Sequence, residues 1–208
     1  MDTIIQNLPD YFDFNWLTIQ LKDYASPRVK INSLLKTKEI IRIKKGLYIP
    51  GPKYNRTISK GALANLIFGP SYVSFEYALS RHGLIPERVY PVTCACSKRN
   101  KSFNTPLGVF SYRNIPERAY PQGVDLVREA DYQFLMASPE KALADMLAKS
   151  GKLHNLSELE TLLFEDKRME PHLIRMLDKK KMDVIARTYK KHNVFLILDY
   201  LQLRFADE

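Results

Sequence analysis

The stretch Ser26–Pro50 reads SPRVKINSLLKTKEIIRIKKGLYIP. From Arg28 to Arg56 it and its flank hold nine Lys or Arg and one acidic residue, Glu39, an excess of eight charges against a net +9 for the whole chain. The rest of the sequence nearly cancels. Charge packed into one short segment points to a face that meets a polyanion.

Ser26-Pro27 predicts a helix start, with Ser as cap and Pro at the first helical position, where its missing N–H costs nothing. On a helical projection Ile31, Leu34 and Leu35 share one face. Val29, Asn32, Ser33 and Lys36 lie opposite, with Arg28 and Lys30 at the edges. Short polar side chains can approach base edges in a major groove, and Lys or Arg can hold phosphates. A plain amphipathic helix with solvated charges shows the same pattern, so the next segment decides. There Ile41 and Ile43 alternate with Arg42 and Lys44, Lys45-Gly46 offers a turn, and Leu47, Tyr48 and Ile49 return. Asn15–Tyr24, NWLTIQLKDY, precedes all this as a short helix capped by Asn15. Helix, helix, basic hairpin is the order of a winged helix-turn-helix, whose second helix enters the groove while the hairpin touches the flanking backbone.

Outward from this stretch, Gly51-Pro52 and Lys53–Arg56 read as a linker. The expected fold is therefore α+β: a winged helix-turn-helix over residues 1–52, then a larger mixed α/β domain over residues 53–208 that ends in helices. Helices are expected within 58–68, closed by Gly69-Pro70, and from Ser74 to Arg81 or His82, ended by Gly83. Strands are expected over 89–97, 109–114 and 132–136, with a weaker one over 124–127 and a basic loop, KRNKSFNTP, from Lys98. Ser138-Pro139 opens a patterned helix whose stripe is Ala142, Leu143, Met146 and Leu147. Ser157–Glu160 forms a capping box for another, and from Pro171 onward the text is helical. The apolar end, Phe195–Phe205, fits either core or a dimer seam.

With 208 residues, 45% of them hydrophobic, the chain can bury a sizeable core. It carries no apolar run of membrane-spanning length. MDTIIQNLPDYF lacks the basic and apolar regions of a secretory signal. Two cysteines, Cys94 and Cys96, give no sign of an oxidising compartment. A cytoplasmic protein is expected. The two thiols would share one face of a strand, but a zinc site needs two more ligands and no nearby His-x-His or second Cys pair supplies them. His82, His154, His172 and His192 are scattered singly. There is no phosphate-binding glycine loop, nucleophile elbow or HExxH. Neither metal nor cofactor is expected, and no catalytic residues are assigned. Glu76, Glu140, Lys141 and Asp145 could in principle form a nuclease-like cluster, though Glu140 and Lys141 at a helix start more simply complement its dipole and the surface.

Four motifs in order, KKGLYIPG (44–51), YVSFEYALSRHGLIPE (72–87), YRNIP (112–116) and ASPEKALADML (137–147), resemble AbiEi-type antitoxins of bacterial type IV toxin–antitoxin systems. The likeness spans roughly residues 15–147, and the helices after Gly151 match only in general character. It implies an N-terminal winged helix that binds inverted repeats in its own promoter and represses the operon. It also implies a C-terminal domain that opposes a nucleotidyltransferase-like toxin without a stable complex. Carried onto this chain, the DNA contacts would be Arg28, Lys30, Asn32, Ser33, Lys36, Arg42, Lys44 and Lys45. Lys98, Arg99 and Lys101 offer a secondary nucleic-acid surface, or simply a solvated connection. Inverted repeats meet two copies, as a homodimer or by cooperative binding on DNA. No membrane partner is expected. Two alternatives stay open: a nuclease-like enzyme docked by the winged helix, and a ligand-responsive regulator.

Overall fold

A computed structural model describes residues 8–204. Most of the segment read as lacking a signal, residues 1–7, and residues 205–208 with Phe205 lie outside them.

Strand β1 (Phe12–Asp13) runs straight into helix α1 (Phe14–Gln20). The cap is Asp13, whose carboxylate accepts the Trp16 amide at 2.7 Å, and not Asn15. Asp and Asn cap about equally well. The position is fixed by β1, which pairs Phe12 with Tyr48 and so sets where the chain turns into the helix. Helix α2 (Pro27–Lys36) begins where Ser26-Pro27 predicts, with Ser26 extended. Lys38, at φ 56°, turns the chain out of the helix. Strands β2 (Ile40–Lys44) and β3 (Leu47–Pro50) form the hairpin around Gly46, whose φ of +84° suits glycine. With β1 they make a three-stranded antiparallel sheet in the order β1-β3-β2.

Residues 51–56 are not a loose linker. The Gly51 amide bonds the Glu39 carbonyl at 2.8 Å, and Pro52–Tyr54 form a 3-10 turn. The chain continues into α3 (Lys60–Ile67), β4 (Ser71–Val73), α4 (Phe75–Arg81) and β5 (Val92–Cys96). Next come β6 (Lys101–Thr105), β7 (Gly108–Asn114), β8 (Val124–Glu129) and β9 (Tyr132–Ala137). They build a mixed six-stranded sheet in the order β6-β7-β5-β4-β9-β8, with β4–β9 and β5–β7 parallel and the other pairs antiparallel. The expected basic loop is thus half strand. β6 is an edge strand, exposed at Lys101, Ser102 and Asn104 with Phe103 and Thr105 half-buried, and Phe103 is its one apolar residue, so it lacks the apolar alternation that marks strands in sequence.

Helix α5 (Pro139–Lys149) is capped by Ser138, whose hydroxyl accepts the Lys141 amide. Helix α6 (Leu156–Glu160) starts from Asn155, two residues before the expected Ser157, and relaxes into a π-turn over Thr161–Asp166. The text after Pro171 resolves into α7 (Pro171–Arg175), α8 (Lys179–Tyr189) and α9 (His192–Arg204). Val194, Ile197 and Leu201 of α9 are fully buried, so this helix serves as core. The architecture is mixed α/β, of the α+β class. No helix of the described residues is long and apolar enough to cross a membrane.

The apolar side chains fall into two clusters. A small one joins Leu8, Phe12, Leu17, Leu21, Ile31 and Leu34 to Ile40 and Tyr48. The large one surrounds the mixed sheet and also takes in Ile43, Leu47 and Ile49. Successive strand side chains point to opposite faces, so β3 sends Leu47 and Ile49 one way and Tyr48 the other. The hairpin is a wall shared by both cores.

Candidate nucleic-acid interface

Burying Ile31 and Leu34 against the small core turns the opposite face of α2 outward. Arg28, Val29, Asn32, Ser33 and Lys36 are all exposed, as the projection requires. Val29 stands 67% exposed on this face. Lys30 is half-buried and lies over the Tyr24 ring, 4.8 Å from its centroid.

Between α2 and the hairpin runs a groove of about 470 Å³. Arg28 and Asn32 rim it from the helix, Arg42 and Lys45 from the hairpin, and Tyr48 and Phe14 line it. The structure therefore brings four of the eight expected DNA-contacting residues around one concavity. None of the four makes an ion pair among the described residues. Ser33 and Lys36 lie outside the groove on the exposed helix face. The lone acidic residue of the segment, Glu39, is turned to other partners. It accepts from the Lys53 ammonium and the Tyr54 hydroxyl, and these two bonds hold its carboxyl below the usual carboxylate range. No carboxylate lines the groove among the described residues.

Lys44 departs from expectation. Simple alternation puts it beside Arg42, on the outer face. The β2–β3 register instead shifts between Arg42 and Lys44, the mark of a bulge, and a bulge re-aims the side chain that follows it. The Lys44 ammonium donates to the main-chain carbonyl of Ile67, at the end of α3. Burial lowers its pKa, and the nearby Lys101 lowers it further. Lys44 is an anchor and not a free tip cation.

That anchor places the second basic set beside the hairpin. Lys98 donates to the Gly69 carbonyl at 2.6 Å, and Lys98 and Lys101 both sit 5.5 Å from the Phe68 ring centroid. Arg99 is exposed. Lys98, Arg99 and Lys101 are thus an extension of the hairpin's basic surface and not a distant loop.

The carboxylates of the nuclease alternative do not assemble. Glu76 pairs with Arg113 at 3.1 Å. Glu140 accepts from the Ser138 hydroxyl at 2.7 Å and the Asp178 amide at 3.1 Å. Lys141, expected at the surface, is fully buried. Its ammonium lies 3.1 Å from the equally buried Asp145 and donates to the Ala119 carbonyl at 2.7 Å and the Tyr189 hydroxyl at 2.9 Å. Tyr72, Ser74 and Tyr189 all donate to Asp145. Burial pushes the Lys141 ammonium's pKa down, against the pull of Asp145. These groups bond one another within the core. This hub escaped sequence reasoning, because only the i, i+4 spacing of Lys141 and Asp145 hinted at a pair.

Cys94 and Cys96 are free and buried, and burial raises both thiols. No group of three or more His, Cys, Asp or Glu that could hold a metal ion occurs among the described residues. The His82 imidazole contacts the Ala137 carbonyl at 2.8 Å rather than capping its own helix.

No family model matches the chain, and no curated protein matches it. Among solved structures it is similar to the Rv2827c protein of Mycobacterium tuberculosis, with a TM-score of 0.62 at 13% identity, over 95% of this chain and 73% of that one. At that identity the likeness is one of fold.

Proposed function

We propose that the chain is a sequence-specific DNA-binding repressor that uses residues 8–52 as a winged helix-turn-helix and acts as the antitoxin of a type IV toxin–antitoxin pair. The observation that carries the DNA reading is the groove between α2 and the hairpin, rimmed by Arg28, Asn32, Arg42 and Lys45 with no carboxylate lining it among the described residues. In this reading α2 enters the major groove. Asn32 and Ser33 meet base edges, Val29 meets a thymine methyl, and Arg28, Lys36, Arg42 and Lys45 hold phosphates. Lys98, Arg99 and Lys101 extend the phosphate track beyond the hairpin.

The antitoxin role rests on the resemblance carried by residues 44–51, 72–87, 112–116 and 137–147. It implies a cytoplasmic protein whose partners are its own promoter, bound by two copies on inverted repeats, and a nucleotidyltransferase-like toxin that it opposes without a stable complex. The buried, self-satisfied Lys141–Asp145 pair weighs against the nuclease alternative built on those residues. The test is a gel shift with the DNA upstream of its own coding sequence, at low salt. Retarded complexes that a scrambled duplex fails to compete away support the reading, and no binding at low salt defeats it. Co-expression with an adjacent toxin, scored by growth, tests the antitoxin half.

A further inference from the structure

Two adjoining cavities, of about 540 and 260 Å³, open where the chain leaves the hairpin. They share Lys60, Tyr77 and Arg81. The smaller is walled by Lys60, Arg81 and Arg88 together with Tyr77, Ser80 and Tyr90, and no carboxylate lines it. The larger has three acidic residues in its wall: Glu129 is bonded to Arg81 and Ser59, each at 2.7 Å, Asp10 to the Tyr132 hydroxyl at 2.6 Å, and Asp131 is exposed.

Two of the three cations of the smaller cavity, Lys60 and Arg88, have no carboxylate partner among the described residues. Lys60 is half-buried and makes no hydrogen bond or ion pair among the described residues. The Arg88 guanidinium meets only the Tyr90 ring, 5.7 Å from its centroid. Arg81 spends part of its five-donor fork on Glu129. Lys60 and Arg88 add positive charge to a concave wall beside the Glu129-paired Arg81, and a concave surface focuses such a field. Tyr90, 73% exposed, stands at the mouth with the Arg88 guanidinium beside its ring. A planar base stacks well on such a ring, and the adjoining space is large enough for a sugar.

We propose that this cleft binds a phosphate-bearing ligand of mononucleotide size. Lys60 and Arg88 hold the phosphate with help from the spare donors of Arg81, and the base lies on Tyr90. The site lies apart from the α2 groove and shares no residue with it, so it does not depend on the DNA reading.

The test is calorimetric titration of the full chain with AMP, GMP, CMP and UMP, with the matching nucleosides, and with a trinucleotide carrying or lacking a 5′-phosphate. At least one monophosphate should bind saturably, one per chain, and its nucleoside roughly tenfold or more weaker, since a charged hydrogen-bonding group is lost. Arg88→Ala, Lys60→Ala and Tyr90→Ala should each weaken binding, the first two by roughly tenfold or more. Arg88 and Tyr90 are surface residues, so matched thermal melts will show that these variants fold. Lys152→Ala, at an exposed lysine that lines neither this cleft nor the α2 groove, should leave the titration unchanged. Preference for the 5′-phosphorylated trinucleotide over every monophosphate would support the same chemistry with a nucleic-acid end as its source. No binding at millimolar concentration, or binding that Arg88→Ala leaves intact, would overturn the proposal.

Discussion

The Lys44 ammonium donates to the main-chain carbonyl of Ile67, tying the hairpin to the end of α3. Arg42, two residues earlier on the same strand, is exposed and makes no ion pair among the described residues. Two basic residues that alternation would place on one face therefore have different work. Lys44 holds the two cores in register, and Arg42 faces the groove.

Lys44→Ala should lower stability by about 1 kcal/mol, the usual net worth of such a bond when one partner is half-exposed. Lys45→Ala should leave stability unchanged. Urea unfolding of the two variants separates anchor from tip, and equal stabilities would contradict the assignment.

The Lys141–Asp145 pair makes a sharper demand. Asp145→Ala leaves an uncompensated ammonium in the core and should cost about 3–5 kcal/mol. Tyr72→Phe removes one donor, bonded at 3.0 Å, and should cost about 1 kcal/mol. A Lys141→Met, Asp145→Leu double variant should be more stable than Asp145→Ala, because no lone charge stays buried, yet less stable than the native chain, because Tyr72, Ser74, Tyr189 and the Ala119 carbonyl lose their partners. Thermal denaturation of the three tests the hub.

Gly51 sits where β3 leaves the hairpin, and a Cβ there would collide with the Lys38 main-chain carbonyl. Main chain cannot move aside as a flexible side chain can. Gly51→Ala should destabilise by at least about 2 kcal/mol, readable as a lower midpoint in urea. Gly151→Ala, where a Cβ meets open space, is the control.

Glu39 makes a pH prediction. Its folded pKa is held below the ordinary 4.5, first by the Lys53 hydrogen bond and then by Tyr54. The folded state thus binds its proton less readily than the unfolded chain. The stabilisation is present above 4.5 and lost as pH falls through the folded value. Glu39→Gln should be less stable than the native chain at pH 7, and the gap should close in acid. A gap that widens in acid would contradict the sign.

The two faces of α2 were legible because a 3.6-residue period separates Ile31 and Leu34 from Val29, Asn32 and Ser33 within ten residues. The strands with apolar alternation were legible for the same reason. Lys44 was not, since a bulge breaks the period that the reading relies on. Lys141 was misplaced at the surface because Tyr72, Ala119 and Tyr189, which make its burial tolerable, are far away in sequence. The cleft of Lys60, Arg81 and Arg88 gathers residues from three segments, and no local pattern announces it. Local periodicity reports faces, whereas burial of a charge depends on partners that only the fold brings together.

A salt titration of promoter binding by fluorescence anisotropy decides whether the α2–hairpin groove reads DNA. Arg42→Ala and Lys45→Ala should each weaken binding on every sequence and reduce the counterion slope by about 1. Asn32→Ala should change the preference at one base pair by about 1–3 kcal/mol with the slope unchanged. A slope that none of these substitutions alters, or affinity equal for promoter and scrambled duplex, would contradict the account.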